Sequence, residues 1–159
     1  MASQHCLDLV SPRACAGPAR WAGRGARGAT VFLVTGGIHG EGAARLLERA
    51  LADSGLAAHD PVECATPAGL PPSLWRRRAE AARLVVALGA DAAAGLLGRP
   101  VSLSLERGRV RPLPDGGRLL VTEHPRAILR LADRVAQGRE YRRLVNDLML
   151  AMPHRPLAA

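Results

Sequence analysis

The 159-residue sequence has no lysine, few aromatic residues, few cysteines and no long apolar run. Aromatic residues make up 3% of the chain and hydrophobic residues 48%, so a core must be built from Leu, Val and Ala. No apolar stretch approaches the roughly 18 residues that indicate a membrane-spanning helix, so we expect no span. The N-terminus lacks a charged segment followed by an apolar one, which predicts a cytoplasmic rather than a secreted protein.

Cysteine and histidine form no pattern that is typical of a metal site. The three cysteines, Cys6, Cys15 and Cys64, are too few and too scattered for a disulfide framework. No two of the five histidines have the spacing of a zinc-ligand pair, so we expect no metal site. No Ser or Cys lies in a nucleophile elbow, which leaves covalent acyl chemistry without support.

The charge is strongly positive and is carried by one residue type. The formal net charge is +8, and all 22 basic residues are arginines. A GC-rich coding sequence favours arginine whatever the function, and that explanation stays open. A net positive charge nonetheless favours a polyanionic partner, and arginine binds phosphate through paired hydrogen bonds.

The organisation of the chain predicts one α/β domain between two unstructured ends. Residues 1–28 are rich in Arg, Gly, Ala and Pro without periodicity, which indicates a flexible arm. Residues 29–153 form the domain, and residues 154–159 form a frayed tail. Strand patterns alternate with helical ones, so we expect a three-layer α/β/α sandwich whose central parallel sheet has about four strands.

Apolar runs and turn residues place the elements. Strands are predicted at 30–35, near Val62, at 84–88 and at 119–121, and helices at 41–54, 73–82, 92–97 and from 127 onward. Gly55 is expected to end the first helix and Gly138 to divide the last one. Residues 101–105 and 109–113 are expected to form a hairpin.

The segment Leu119–Arg130 (LLVTEHPRAILR) is the most informative one. It reads as a buried strand that stops at His124-Pro125 and restarts as a basic helix, since Pro125 fits the first turn of a helix. His124 is therefore placed at the carboxyl end of a strand, where open α/β sheets bind their ligands. A strand–helix corner with a solvated histidine is the alternative.

A second strand-to-helix turn has the composition of a phosphate-binding loop. Gly36-Gly37-Ile38-His39-Gly40 follows a predicted strand and precedes a predicted helix, as a phosphate cradle would. It matches neither the Walker nor the dinucleotide-binding glycine pattern, so a tight turn is the alternative. His39 is expected at the same sheet edge as His124.

Three segments resemble the uracil-DNA glycosylase superfamily, and specifically its iron–sulfur branch. Residues 84–98 are similar to the strand and helix before the family's last strand. Residues 121–130 with 141–148 are similar to its His-Pro motif and closing helix, and residues 41–56 to its first helix. The resemblance covers most of residues 30–150, and the order of the segments is more specific than any one of them.

The resemblance implies a role for each matching residue. His124 would donate a hydrogen bond to the departing base, while Pro125 and Arg126 would enter the minor groove and contact phosphate, with Arg130 beside them. Such a donor stabilises the charge that develops on the base after the nucleotide is extruded. Gly36 and Gly37 would line the base pocket, and His39 would assist.

The sequence departs from the family at several positions. The family's first motif carries an acidic or amide group, which the stretch 35–40 lacks, so Asp60 or Glu41 would handle water or base recognition. The family's 4Fe-4S cluster needs four cysteines. Cys15 and Cys64 are therefore interpreted as remnants of cluster ligands, and no cofactor is expected, with a retained 4Fe-4S cluster as the alternative.

The sequence thus predicts a DNA-binding, uracil-DNA-glycosylase-like protein. The implied activity is hydrolysis of the N-glycosidic bond of uracil or another damaged base. A catalytically inactive DNA-binding relative and a small nucleotide-binding α/β enzyme are the alternatives.

Overall fold

A computed structural model of the chain describes residues 30–34, 40–56, 62–65, 84–113 and 117–152. Within these ranges the strands are β1 (Thr30–Val34), β2 (Val62–Ala65), β3 (Leu84–Leu88), β4 (Val110–Pro112) and β5 (Arg118–Thr122). The helices are α1 (Glu41–Asp53), α2 (Ala90–Leu97), α3 (Leu103–Glu106), α4 (Pro125–Leu129) and α5 (Arg134–Met149). For β1 and β2 the description is of the backbone.

The strands form one open mixed sheet in the order β2-β1-β3-β5-β4. β3 pairs with β5 in parallel, with Val85 opposite Leu119 and Leu88 opposite Thr122. β1 pairs in parallel with both β2 and β3, whereas β4 runs antiparallel to β5. The predicted α/β class is confirmed, and the antiparallel β4 makes the sheet mixed rather than purely parallel.

One face of the sheet carries the larger cluster of buried side chains. Alternate residues of β3 together with Leu120 of β5 pack here against α1, α4 and α5. The helices contribute Leu47 and Leu51 of α1, Ile128 of α4 and Leu144 of α5, each no more than 1% exposed. Small residues such as Ala50 let the helices approach closely, and the buried side chains that the structure describes in this cluster are all aliphatic.

The opposite face is covered by α2. Val85 and Ala87 of β3 and Val121 of β5 pack against Ala92 and Ala93 of this helix. The alternation of β3 between the two clusters follows from the strand geometry, in which successive side chains point to opposite faces. Both faces of β3 are therefore buried, which explains its continuous apolar sequence.

The predicted hairpin of residues 101–105 with 109–113 is wrong. Leu103–Glu106 forms one turn of helix, in which the N–H groups of Leu105 and Glu106 donate to the carbonyl of Ser102 at 3.1 Å. The partner of β4 is β5, with Val110 opposite Leu120 and Pro112 opposite Arg118. Alternating apolar and polar residues over so short a stretch fit a strand or a helical turn equally, and packing decides between them.

The division of the last helix at Gly138 is also wrong. α5 runs through Gly138 without a break, and the separation from α4 lies at residues 130–133 instead. Asp133 begins α5 because its carboxylate accepts from the N–H groups of Val135 and Ala136 at 3.0 and 3.1 Å. A well-capped start outweighs the roughly 1 kcal/mol that an interior glycine costs.

β4 is a short strand at the outer end of the sheet. It contains Arg111 and Pro112, and Glu106 of α3 lies beside it. Glu106 is 7% exposed and forms ion pairs with Arg99 at 3.0 Å and Arg111 at 3.1 Å. These pairs hold the loop after α2 against the edge of the sheet.

Candidate functional site

Three helices of the described chain begin where parallel strands end. α1 starts after Gly40, α2 after Gly89 and α4 after His124, following β1, β3 and β5 respectively. Gly89 has a φ of 93°, and its N–H donates to the carbonyl of Thr122 at 2.9 Å, which ties the end of β3 to the end of β5. A side chain at Gly89 would also meet the Cβ of His124 at 3.4 Å.

His124 is the N-cap of α4. Its backbone is extended, with φ −76° and ψ 130°, and its Nδ1 accepts a hydrogen bond from the N–H of Arg126 at 3.0 Å. Because Nδ1 acts as an acceptor, the neutral ring carries its proton on Nε2. The Glu123 carboxylate accepts from the N–H of His124 at 3.0 Å. The sequence prediction of a histidine fixed at a strand–helix corner is confirmed.

The predicted DNA-contacting residues differ in exposure. Arg126 and Arg130 are exposed, as a phosphate contact requires. Pro125 is buried at the first position of α4, where its ring and fixed φ favour the start of the helix. This burial does not fit a direct groove contact by Pro125, which shapes the corner instead.

A partly buried ionic network holds the strand that leads to His124. Thr122 is fully buried, and its hydroxyl donates to Asp147 Oδ2 of α5 at 2.5 Å. The same carboxylate oxygen accepts from Arg107 Nη2 at 3.0 Å, and Arg107 Nη1 donates to Glu140 at 2.7 Å. The end of β5 is thereby fastened to α5 two residues before the histidine.

The ionised form of Arg107 is favoured in this network. Burial acts to lower the pKa of its guanidinium, but the hydrogen bond with Glu140 and the charge of Asp147 outweigh it, so the pKa is raised. Sequence reasoning missed this network. The signal was Asp147 itself, because it lies between Leu144 and Leu148 on the apolar stripe of α5, where a charge needs a partner.

A cavity of about 390 Å³ opens beside the network. Arg107, Glu123, Glu140 and Arg143 provide its charged lining, while Ile128 and Leu131 are among its apolar residues. Glu123 connects this cavity to the backbone of His124. The cavity therefore brings Glu123, the residue before His124, to the same site as Arg107 and Glu140 of the network.

Several predicted site residues lie outside the described residues, namely Gly36, Gly37, His39, Asp60 and Cys15. Cys64 lies in β2, where its backbone is in register with Phe32 of β1. Glu41, the alternative to Asp60, begins α1 and pairs with Arg45 on the exposed side of the helix. The structure thus brings together His124, Arg126 and Arg130, and it leaves the predicted first motif untested.

Within the described ranges, no group of three or more His, Cys, Asp and Glu side chains could hold a metal ion. No helix in the same part of the chain is long and apolar enough to cross a membrane. The chain matches no protein-family model, and no curated protein matches its sequence.

Proposed function

We propose that the protein binds DNA through the corner at His124 and the arginines that follow it. The observation that carries this proposal is the position of His124 as the N-cap of α4 at the carboxyl end of β5, followed within six residues by two exposed arginines. Guanidinium groups bind phosphate in a bidentate manner, and a fixed corner gives them a defined position along the phosphate backbone of the DNA. The net charge of +8 provides the long-range attraction.

The fold around the corner supports the same proposal. We infer that the complete domain is a three-layer α/β/α sandwich, with β2, β1, β3 and β5 as its central parallel sheet. In that architecture the carboxyl ends of the strands form one edge, at which the loops after β1, β3 and β5 meet. Gly36, Gly37 and His39 belong to the first of these loops by their place in the sequence.

Excision of a base is the activity that we propose for this corner. Cleavage of an N-glycosidic bond leaves negative charge on the departing base, and a donor aimed at the base oxygen stabilises it. The hydrogen bond from Arg126 to Nδ1 keeps the neutral His124 ring protonated on Nε2, which suits it to donate. Asp60 or Glu41 would orient the attacking water, and His39 would assist. No cofactor is needed for this role.

Three variants of His124 separate its donor role from its structural role. His124→Asp and His124→Asn keep an acceptor for the N–H of Arg126, because both residues are good N-caps, but only Asn retains a donor. His124→Ala removes both. Single-turnover assays on single- and double-stranded uracil-containing oligonucleotides measure abasic product. We expect His124→Asp to lose about 100- to 1,000-fold in rate, as for removal of one such donor, and His124→Asn to lose less.

The wild-type protein decides between the alternatives. DNA binding without any abasic product at stoichiometric protein would contradict excision and leave a catalytically inactive DNA-binding relative. An absence of binding, together with thermal stabilisation by mononucleotides, would contradict the DNA proposal and favour a small nucleotide-binding enzyme. Equal rates for the Asp and Asn variants would contradict the donor role of His124.

A further inference from the structure

A wide groove of about 860 Å³ lies on the surface between α1 and α5, and the network of Arg107 does not line it. Its apolar lining includes Leu46 of α1 and Ile128 of α4, and the polar lining includes Gln137. Four arginines contribute to its sides, namely Arg45, Arg49, Arg134 and Arg142. Ile128 and Ala132 place one end of the groove next to α4, which contains Arg126 and is followed by Arg130.

The groove carries more positive charge than the described carboxylates beside it neutralise. Arg45 pairs with Glu41, and Arg49 pairs with Asp53 at 3.6 Å. Arg134 and Arg142 are exposed and form no ion pair with any described residue. Two guanidinium groups therefore face one groove without a carboxylate to neutralise them, which favours an anionic occupant.

The arginines are spread along the groove rather than gathered at one point. Arg134 and Arg142 lie on one face of α5 but are eight residues apart, which is about 12 Å along the helix axis. Gly138 lies between them, and a Cβ built on it would meet no atom within 4 Å. This open, linear arrangement suits a chain of phosphates better than a single phosphate ion.

We propose that the groove between α1 and α5 holds the phosphate backbone of a nucleic-acid strand, which continues from the corner at His124 across α4. This inference rests on the proposed DNA binding and adds the path of the strand. Tyr141 also lines the groove, with the Arg49 guanidinium 5.2 Å from the centre of its ring. This contact covers one face of the ring, so Tyr141 holds an arginine at the side of the groove.

The test compares paired arginine variants of the full chain. Binding to a fluorescent single-stranded oligonucleotide without uracil is measured by anisotropy at several salt concentrations. Each neutralised phosphate of a single strand contributes about 0.7 to the slope of log affinity against log salt. Arg134→Gln with Arg142→Gln should therefore lower the slope by about 1.4 and weaken binding about 25-fold at 0.1 M salt.

Matched controls separate the groove from general charge. Arg109→Gln removes an exposed arginine that does not line the groove, so it should change binding less than the pair Arg134→Gln and Arg142→Gln. Gly138→Leu places a side chain in the groove without a change of charge and should weaken binding several-fold, whereas Gly138→Ala should not. Circular dichroism and the unfolding midpoint confirm that the variants are folded.

The outcomes distinguish this inference from the function on which it rests. If the wild type binds no oligonucleotide, the proposed DNA binding fails, and binding to anionic lipid vesicles instead would assign the arginines to a membrane surface. If Arg126→Gln with Arg130→Gln weakens binding but the groove pair changes it no more than Arg109→Gln, the DNA proposal stands and the path through the groove is wrong.

Discussion

At the scale of single residues, Tyr141 is the best reporter of the contact between α5 and α1. Its hydroxyl donates to Asp53 Oδ2 at 2.5 Å. Burial raises the pKa of Tyr141 to about 12, with the hydrogen bond to Asp53 and the charge of that carboxylate acting in the same direction, while Arg49 acts to lower it. The ionisation of Tyr141 can be followed by absorbance without overlap from other phenols, because the sequence contains one tyrosine.

We expect the tyrosinate absorbance of the native protein to appear near pH 12 rather than near pH 10. The protonated phenol is stabilised in the fold, so its contribution to stability is complete below the unfolded pKa of about 10 and is lost as the pH rises towards 12. The unfolding midpoint in urea should therefore fall over this range. The measurement is an ultraviolet titration beside urea unfolding at each pH.

The Tyr141→Phe variant is the control for this titration. It should lack the tyrosinate signal and lose less stability between pH 10 and pH 12 than the wild type, because it has no phenol to ionise. A native titration midpoint near pH 10 would contradict the hydrogen bond between Tyr141 and Asp53. So would identical pH profiles for the variant and the wild type.

At the scale of elements, two glycines differ in whether the surrounding structure leaves room for a side chain. Gly138 lies inside α5 with open space around it, whereas Gly108 has a φ of 70° and a Cβ there would lie 3.0 Å from Asp147 Oδ1. We expect Gly138→Ala to raise the free energy of unfolding by about 1 kcal/mol, because alanine is the better helix former. Gly108→Ala should lower it, since alanine is strained at positive φ.

Urea unfolding of both glycine variants measures this difference. A lower stability for Gly138→Ala would mean that α5 is not a continuous helix at this position, in contrast to the structure. A neutral Gly108→Ala would contradict the close approach of residue 108 to Asp147.

The sequence located elements wherever one strong signal dominated. The apolar run 84–88 and the run 119–121 are interior strands, and Gly55, with a φ of 77°, follows the end of α1 as predicted. Between Val101 and Leu113 no such signal exists. Long-range pairing of β4 with β5, and the ion pairs of Glu106, decide the structure there, and neither can be read from local periodicity.

The candidate site was predictable to a similar degree. The order of a strand, a histidine and a proline was sufficient to place His124 at a corner, because the proline restricts what can follow. The N-cap hydrogen bond from Arg126 to its Nδ1 is local, whereas the network of Arg107, Thr122, Glu140 and Asp147 joins residues that are up to 40 positions apart. Contacts between residues so far apart in the sequence form only in the packed fold.

At the scale of the whole molecule, the network around Asp147 joins the sheet to the helical layer. Asp147→Ala would leave Thr122 without its acceptor and would leave Arg107 with only Glu140. Loss of one member of a buried ion pair typically costs about 3–5 kcal/mol, and we expect about 3 because this network is partly exposed. Urea unfolding tests this expectation.

Asn146→Ala is the matched control for Asp147→Ala, because it changes an exposed neighbour on the same helix. Its effect should stay within about 0.5 kcal/mol of the wild type. A similarly small effect of Asp147→Ala would show that the ion pairs and the hydrogen bond of Thr122 contribute little to holding α5 on the sheet.

The form of β4 has a consequence for how copies of this protein behave in concentrated solution. The outer strand of an open sheet offers unpaired backbone groups on which a strand of another molecule can assemble. β4 is three residues long, has no N–H at Pro112 and carries the charge of Arg111. Each of these features discourages strand addition, so this end of the sheet is protected against edge-to-edge aggregation.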